Sequence, residues 1–98
     1  MNGITPAELQ TRLQHEKLFL LDVREAFEHA DFNIGGQLIP LGDIISMAKN
    51  IPVDEPVIVY CQKGIRSQIA IQRLQDKFGF TNLFNLEGGM ERWKRDIR

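Results

Sequence analysis

Two apolar runs, "LFLL" at 18–21 and "VIVY" at 57–60, show no alternation between apolar and polar positions. A strand with one wet face alternates with period two, whereas a continuous run is buried on both faces. Residues 17–23 and 57–61 are therefore predicted strands inside a covered sheet. "NLFNLEGG" predicts a shorter strand closed by a Gly-Gly turn, and another short strand is expected around Leu38–Ile39, after the turn at Gly35–Gly36.

Helical patterns separate these strands. In "TPAELQTRL" Thr5 is placed to cap, Pro6 to open the first turn and Glu8 to complete a capping box, with Leu9 and Leu13 on one narrow apolar face. "REAFEHAD" predicts one or two helical turns with Ala26, Phe27 and Ala30 inward. A helix is expected from about Gly42 to Lys49, and "IPVDEP", broken by two prolines, is a connection. The strongest helical pattern is "SQIAIQRLQDKFG": Ala70, Ile71, Leu74 and Phe78 share a face, and Gly79 ends it. "MERWKRDIR" predicts a terminal helix that Trp93 packs onto the sheet. Strands alternating with helices argue for an α/β fold, a parallel sheet covered on both faces. Without repeats, low-complexity segments or a linker, residues 1–98 are expected to form one domain.

Composition narrows the function. Hydrophobic residues make up 43% and charged ones 26%, and the net charge is −1 with no long basic run. Nucleic-acid and membrane-surface binding are not expected. No apolar stretch approaches the length of a membrane span. "MNGITPAELQ" lacks the basic flank and apolar core of a signal peptide, so a cytoplasmic location is expected. One cysteine forms no internal disulfide, and His15 and His29 lie far apart, so neither a metal site nor a cofactor is expected.

That cysteine, Cys61, ends the second buried run, in "VIVYCQKGIRS". In open parallel sheets, sites form beyond the carboxyl ends of the strands. A tight loop from a strand end into a helix aims backbone N–H groups inward as an anion-binding nest, and Gly64 gives the turn its freedom. The helix N-terminus and the cations Lys63 and Arg66, where they point inward, favour a thiolate over a thiol. Two readings stand on the residues alone. Cys61 is either a small hydrophobe finishing a strand or a nucleophile at the rim of an anion cradle.

The order of "LLDVREAFEHADFNIGGQLIPL", "VIVYCQKGIRS", "NLFNLEGG" and "MERWK" resembles the rhodanese family of single-domain sulfurtransferases, from about Ile4 to Trp93. The resemblance implies a three-layer α/β/α sandwich around a parallel sheet of about five strands. It also implies that Cys61 takes a sulfane sulfur from thiosulfate or a persulfide donor, holds it as a persulfide and passes it to a thiol, cyanide or a carrier protein. The loop Gln62, Lys63, Gly64, Ile65, Arg66 and Ser67 would bind the outer sulfur. The related cell-cycle phosphatases place five residues between cysteine and arginine; here four, Gln62 to Ile65, stand between Cys61 and Arg66, a ring suited to sulfur rather than phosphate. The alternative within the family is a binding or sensing module with little turnover.

Two departures bear on the substrate. Many family members carry arginine where this chain has Gln62, so the loop has one cation fewer for dianionic thiosulfate. Many read His-Ile-Pro-Gly-Ala where this chain reads "NIGGQ". That variant is similar to rhodanese domains fused to adenylating enzymes, which points to a cysteine desulfurase as sulfur donor and a sulfur-carrier protein as acceptor. Asp22 and Arg24 are read as a pair that ties the turn after the first strand, with Arg24 also at the edge of the site. His15 is expected on the surface, and His29 has no assigned partner.

Overall fold

In the computed structural model, which describes residues 2–97, the two non-alternating runs are the centre of the sheet. They form β2 (Phe19–Asp22) and β4 (Val57–Tyr60), paired in parallel with Leu20 opposite Ile58 and Asp22 opposite Tyr60. β3 (Gln37–Leu38) lies outside β2, and β5 (Leu83–Leu86) lies beside β4. A two-residue β1 (Gly3–Ile4), too short to leave a pattern in the sequence, completes five parallel strands in the order β1-β5-β4-β2-β3.

Burial on both faces explains the missing alternation. Val57, Val59 and Cys61 point into one apolar cluster with Leu21, Val23, Ala70, Ile71 and Leu74. Ile58 and Tyr60 point into the other, with Leu9, Leu20, Leu86 and Met90. Each buried Leu or Ile side chain contributes about 1.5–3 kcal/mol relative to exposure. Helices α1 (Pro6–Leu13) and α4 (Gly89–Asp96) cover the second cluster, and α3 (Ile65–Phe78) covers the first. The capping box at α1 forms as the sequence predicts: Glu8 N–H donates to Thr5 Oγ1 at 3.2 Å, and Thr5 N–H donates to Glu8 Oε1 at 2.9 Å. Trp93 is half-buried against the second cluster.

Three local expectations fail. The segment Gly42–Lys49 is not an α-helix: it forms two short 3-10 turns, Leu41–Asp43 and Ala48–Asn50, joined by further turns. Gly42 and the β-branched Ile44 and Ile45 are weak helix formers, and Ser46 Oγ donates to Asp43 O at 3.1 Å, competing with the ladder. In α2 (Ala26–Asp31) the inward face is not Ala26, Phe27 and Ala30, which are exposed, Phe27 by 75%. Glu28 and His29 face inward instead, because charged partners wait for them. Phe78 shares the expected helical stripe but sits in the last turn of α3, beyond the sheet, and is 50% exposed with its ring edge-on to Phe80.

Candidate active site

Cys61 follows the last residue of β4 and is fully buried. The next three residues turn sharply, and Gly64, at φ 85°, is the left-handed residue that lets α3 start directly behind the thiol. Backbone N–H groups of Gly64 and Ser67 donate to Cys61 Sγ at 3.1 and 3.3 Å. The first turn of α3 leaves the N–H groups of Ile65 and Arg66 without intrahelical acceptors, at the positive end of the helix dipole. Sulfur therefore sits in a ring of donors that favour negative charge.

The back of the loop is fastened by α4. Met90 N–H donates to Cys61 O and Glu91 N–H to Gln62 O, both at 2.9 Å. Gly89, at φ 58°, brings the helix this close. A Cβ there would meet Cys61 O and would lie 2.7 Å from Gln62 O. "LEGG" is thus part of the cysteine loop's support as well as a turn.

The predicted loop residues divide by direction. Cys61, Gln62, Lys63, Ile65 and Arg66 line a pocket of about 200 Å³. Lys63 is exposed, and Ile65 is an apolar rim, 62% exposed. Gly64 and Ser67 face the sulfur. Arg66 does not give its charge to the loop alone: Nη1 and Nη2 bind Glu28 Oε1 and Oε2 at 2.7 and 2.8 Å. This hydrogen-bonded pairing lowers the Glu28 pKa to about 2. A larger apolar groove of about 660 Å³ lies at the far end of α3, by Phe78 and Phe80. Its polar lining is Ser46, Lys49 and Asp54, whereas the one cysteine of the chain lines the smaller pocket.

Asp22 and Arg24 form the turn-tying pair expected of them. Asp22 Oδ1 accepts from Arg24 N–H and from Arg24 Nε at 3.0 Å, and Oδ2 accepts from Nη2 at 2.9 Å. Both side chains are buried. Arg24 Nη2 also donates to Phe32 O at 2.6 Å, and Nη1 reaches Gln62 Oε1 at 3.3 Å, so Arg24 touches the site through Gln62. His29 has a partner that the sequence did not disclose, Asp22 Oδ2 at 2.8 Å from its Nδ1. His15 is exposed, as expected.

Sequence reasoning missed Glu28, the partner of Arg66, and Asn85. Asn85 is buried on β5, where Oδ1 accepts from Ser67 Oγ. One signal for it existed: Asn85 is a polar residue inside the otherwise apolar run "LFNL". Among the described residues no group of three or more His, Cys, Asp or Glu side chains could hold a metal ion, and no helix is long and apolar enough to cross a membrane.

A cysteine at the end of a central parallel strand, ringed by the N–H groups of a short loop, is a geometry that can be compared with known proteins. The rhodanese-like domain family model matches residues 5–96. The chain belongs to the rhodanese family. This rhodanese-like chain is 38% identical over 95 residues to an uncharacterized Bacillus subtilis protein, YqhL, covering 96% of this chain and 75% of that one. It is also 38% identical over 100 residues to a probable adenylyltransferase/sulfurtransferase of Mycobacterium tuberculosis, MoeZ; there it spans 97% of its own length but only 25% of MoeZ. The crystal structure of a rhodanese-like domain protein from Staphylococcus aureus superposes with a TM-score of 0.86 at 30% identity, covering 95% of this chain and 91% of that one.

Proposed function

We propose that this rhodanese-like chain is a sulfurtransferase whose carrier is a persulfide on Cys61. The observation that carries the reading is the pair of backbone donors, Gly64 N–H and Ser67 N–H, aimed at Cys61 Sγ within the anion-favouring loop. In the loading step the Cys61 thiolate attacks the sulfane sulfur of the donor. A new S–S bond forms, and the donor's own bond to that sulfur breaks, its electron pair leaving with sulfite or a thiolate. The outer sulfur then carries the negative charge into the mouth of the loop, where the Ile65 and Arg66 N–H groups and Lys63 stabilise it. An acceptor thiolate or cyanide attacks the outer sulfur, and the S–S electron pair returns to Cys61 as the thiolate. At the activated end of a carrier protein the outer sulfur displaces the activating group, and a second thiol then cleaves the resulting acyl disulfide to free Cys61. No metal or organic cofactor is needed for either step.

Two features favour a persulfide donor over thiosulfate. Gln62 is neutral, and the Arg66 charge is offset by Glu28, which weakens the attraction for a dianion. A cysteine desulfurase persulfide brings less charge. A sulfur-carrier acceptor agrees with the adenylyltransferase/sulfurtransferase named for MoeZ. A free thiol as carrier is kept reduced in a reducing compartment, which supports a cytoplasmic setting for the reaction.

Intact mass of the reduced protein, before and after a persulfide donor and separately after thiosulfate, tests the proposal. A gain of one sulfur atom, removed by cyanide and absent in Cys61→Ser, is expected. Failure with both donors would overturn the sulfurtransferase reading in favour of a binding or sensing module.

A further inference from the structure

Among the described residues the buried polar side chains are Asp22, Arg24, Ser67 and Asn85. The first two satisfy each other beside the site. The other two form a chain that ends on the sulfur: Asn85 on β5, Ser67 in the first turn of α3, and Cys61.

The hydrogens in this chain can be placed by elimination. Gly64 O only accepts, so the amide nitrogen of Asn85 faces it, at 3.4 Å. Oδ1 therefore faces Ser67 and only accepts, so the single hydroxyl hydrogen of Ser67 points to Asn85. Ser67 Oγ is left presenting lone pairs to Cys61 Sγ, 3.4 Å away. That contact is attractive when sulfur donates its S–H and repulsive when sulfur is a thiolate.

We infer that Asn85 is a positioning residue that sets the direction of the Ser67 hydroxyl and thereby the protonation of Cys61. While the hydroxyl donates to Asn85, it offers a thiolate no hydrogen bond. When it turns, the thiolate gains a third donor beside the N–H groups of Gly64 and Ser67, and a buried Oδ1 loses its partner. In sulfur transfer, on which this role rests, the hydroxyl can stay on Asn85 while the persulfide carries its charge on the outer sulfur. At discharge the acceptor's electron pair bonds the outer sulfur and the S–S pair returns to Sγ. The hydroxyl then turns to meet it.

The charged groups around the loop stay constant in the variants that test this. Lys63 lies on the loop, and Arg66 on α3 is paired with Glu28 of α2. Arg24 reaches the loop through Gln62 and is paired with Asp22 at the end of β2, the carboxylate that His29 also contacts. Glu91 opens α4 behind the loop, and Glu87, just beyond β5, lies 3.7 Å from Arg92.

The experiment is the pH dependence of iodoacetamide alkylation of Cys61 in the reduced protein, for wild type, Asn85→Leu, Ser67→Ala and the double variant. Asn85→Leu frees the hydroxyl for sulfur and is expected to lower the midpoint by about 0.7 pH unit, one net hydrogen bond of ~1 kcal/mol. In the Ser67→Ala background the same change should move nothing. An unchanged or raised midpoint in Asn85→Leu, or an equal shift without Ser67, overturns the inference. If Asn85→Leu does not fold, the S–H Raman band decides, since the chain has one cysteine. A wild-type band at the frequency of a hydrogen-bonded donor, moving up in Ser67→Ala, supports the inference; a band at the free-thiol frequency overturns it. Neither measurement uses a sulfur donor, so a failure of persulfide loading is distinguishable from a failure here.

Discussion

Glu28 and Arg66, 38 residues apart in the chain, meet through two hydrogen bonds of 2.7 and 2.8 Å at the mouth of the cysteine loop. The contact joins α2 to the start of α3 and sets the electrostatics of the site from outside it.

The pair makes stability depend on acidity. Glu28 has its pKa lowered from 4.5 to about 2 by hydrogen bonding to Arg66. A depressed carboxylate stabilises the fold above its unfolded value and loses that contribution as pH falls through its folded value. Glu28→Gln should therefore be less stable than wild type by about 1–2 kcal/mol at pH 7, after discounting for the partial exposure of Arg66. The difference should shrink below pH 4.5 and close near pH 2. Urea unfolding of both proteins across that range measures it.

The same substitution should help thiosulfate. Releasing Arg66 from Glu28 returns a cation to a loop in which Gln62 is neutral. The loading rate with thiosulfate should rise severalfold in Glu28→Gln, and the gain should fade at high ionic strength as the charge is screened. Stopped-flow loading at low and high salt checks both points; a gain insensitive to salt would assign the effect to loop mobility instead.

Removing Asp22 should be costly. Arg24 is 2% exposed and takes three of its side-chain contacts from this carboxylate. Asp22→Ala would leave a buried guanidinium without its counter-charge, a loss of about 3–5 kcal/mol. Chemical denaturation should show that loss, and Asp22→Ala combined with Arg24→Leu should recover part of it.

Gly89→Ala tests the support behind the loop. The new methyl would press on the carbonyls of Cys61 and Gln62, at a backbone φ of 58° that alanine adopts with strain. The expected cost is about 1–3 kcal/mol of stability, with sulfur loading reduced more than the loss of folded protein explains. Thermal melts alongside intact-mass loading separate the two effects.

What the sequence disclosed follows the strength of each local signal. Val57–Tyr60 and Phe19–Asp22 were legible because burial on both faces removes the polar positions that a half-exposed strand needs. The cap at Thr5 was legible because its partners lie within one turn. Phe27 was misread because the inward face of α2 is chosen by Arg66 and Asp22, charges contributed from other parts of the chain. Gly42–Lys49 was misread because its apolar spacing suits a helix while its glycine and serine do not. In the site, Cys61 and its loop form one contiguous stretch, whereas Glu28, His29 and Asn85 reach it only through tertiary contact.

The fastening of the cysteine loop to α4 has a consequence for the newborn chain. Synthesis delivers Cys61 and the loop before β5 and α4, yet Asn85, Met90 and Glu91 supply the bonds that hold the loop and its serine in place. Until Leu83–Asp96 arrives, the thiol belongs to an unfinished strand end, open to any oxidant or stray disulfide. Its protection is complete only once Leu83–Asp96 has been made and has folded against the loop.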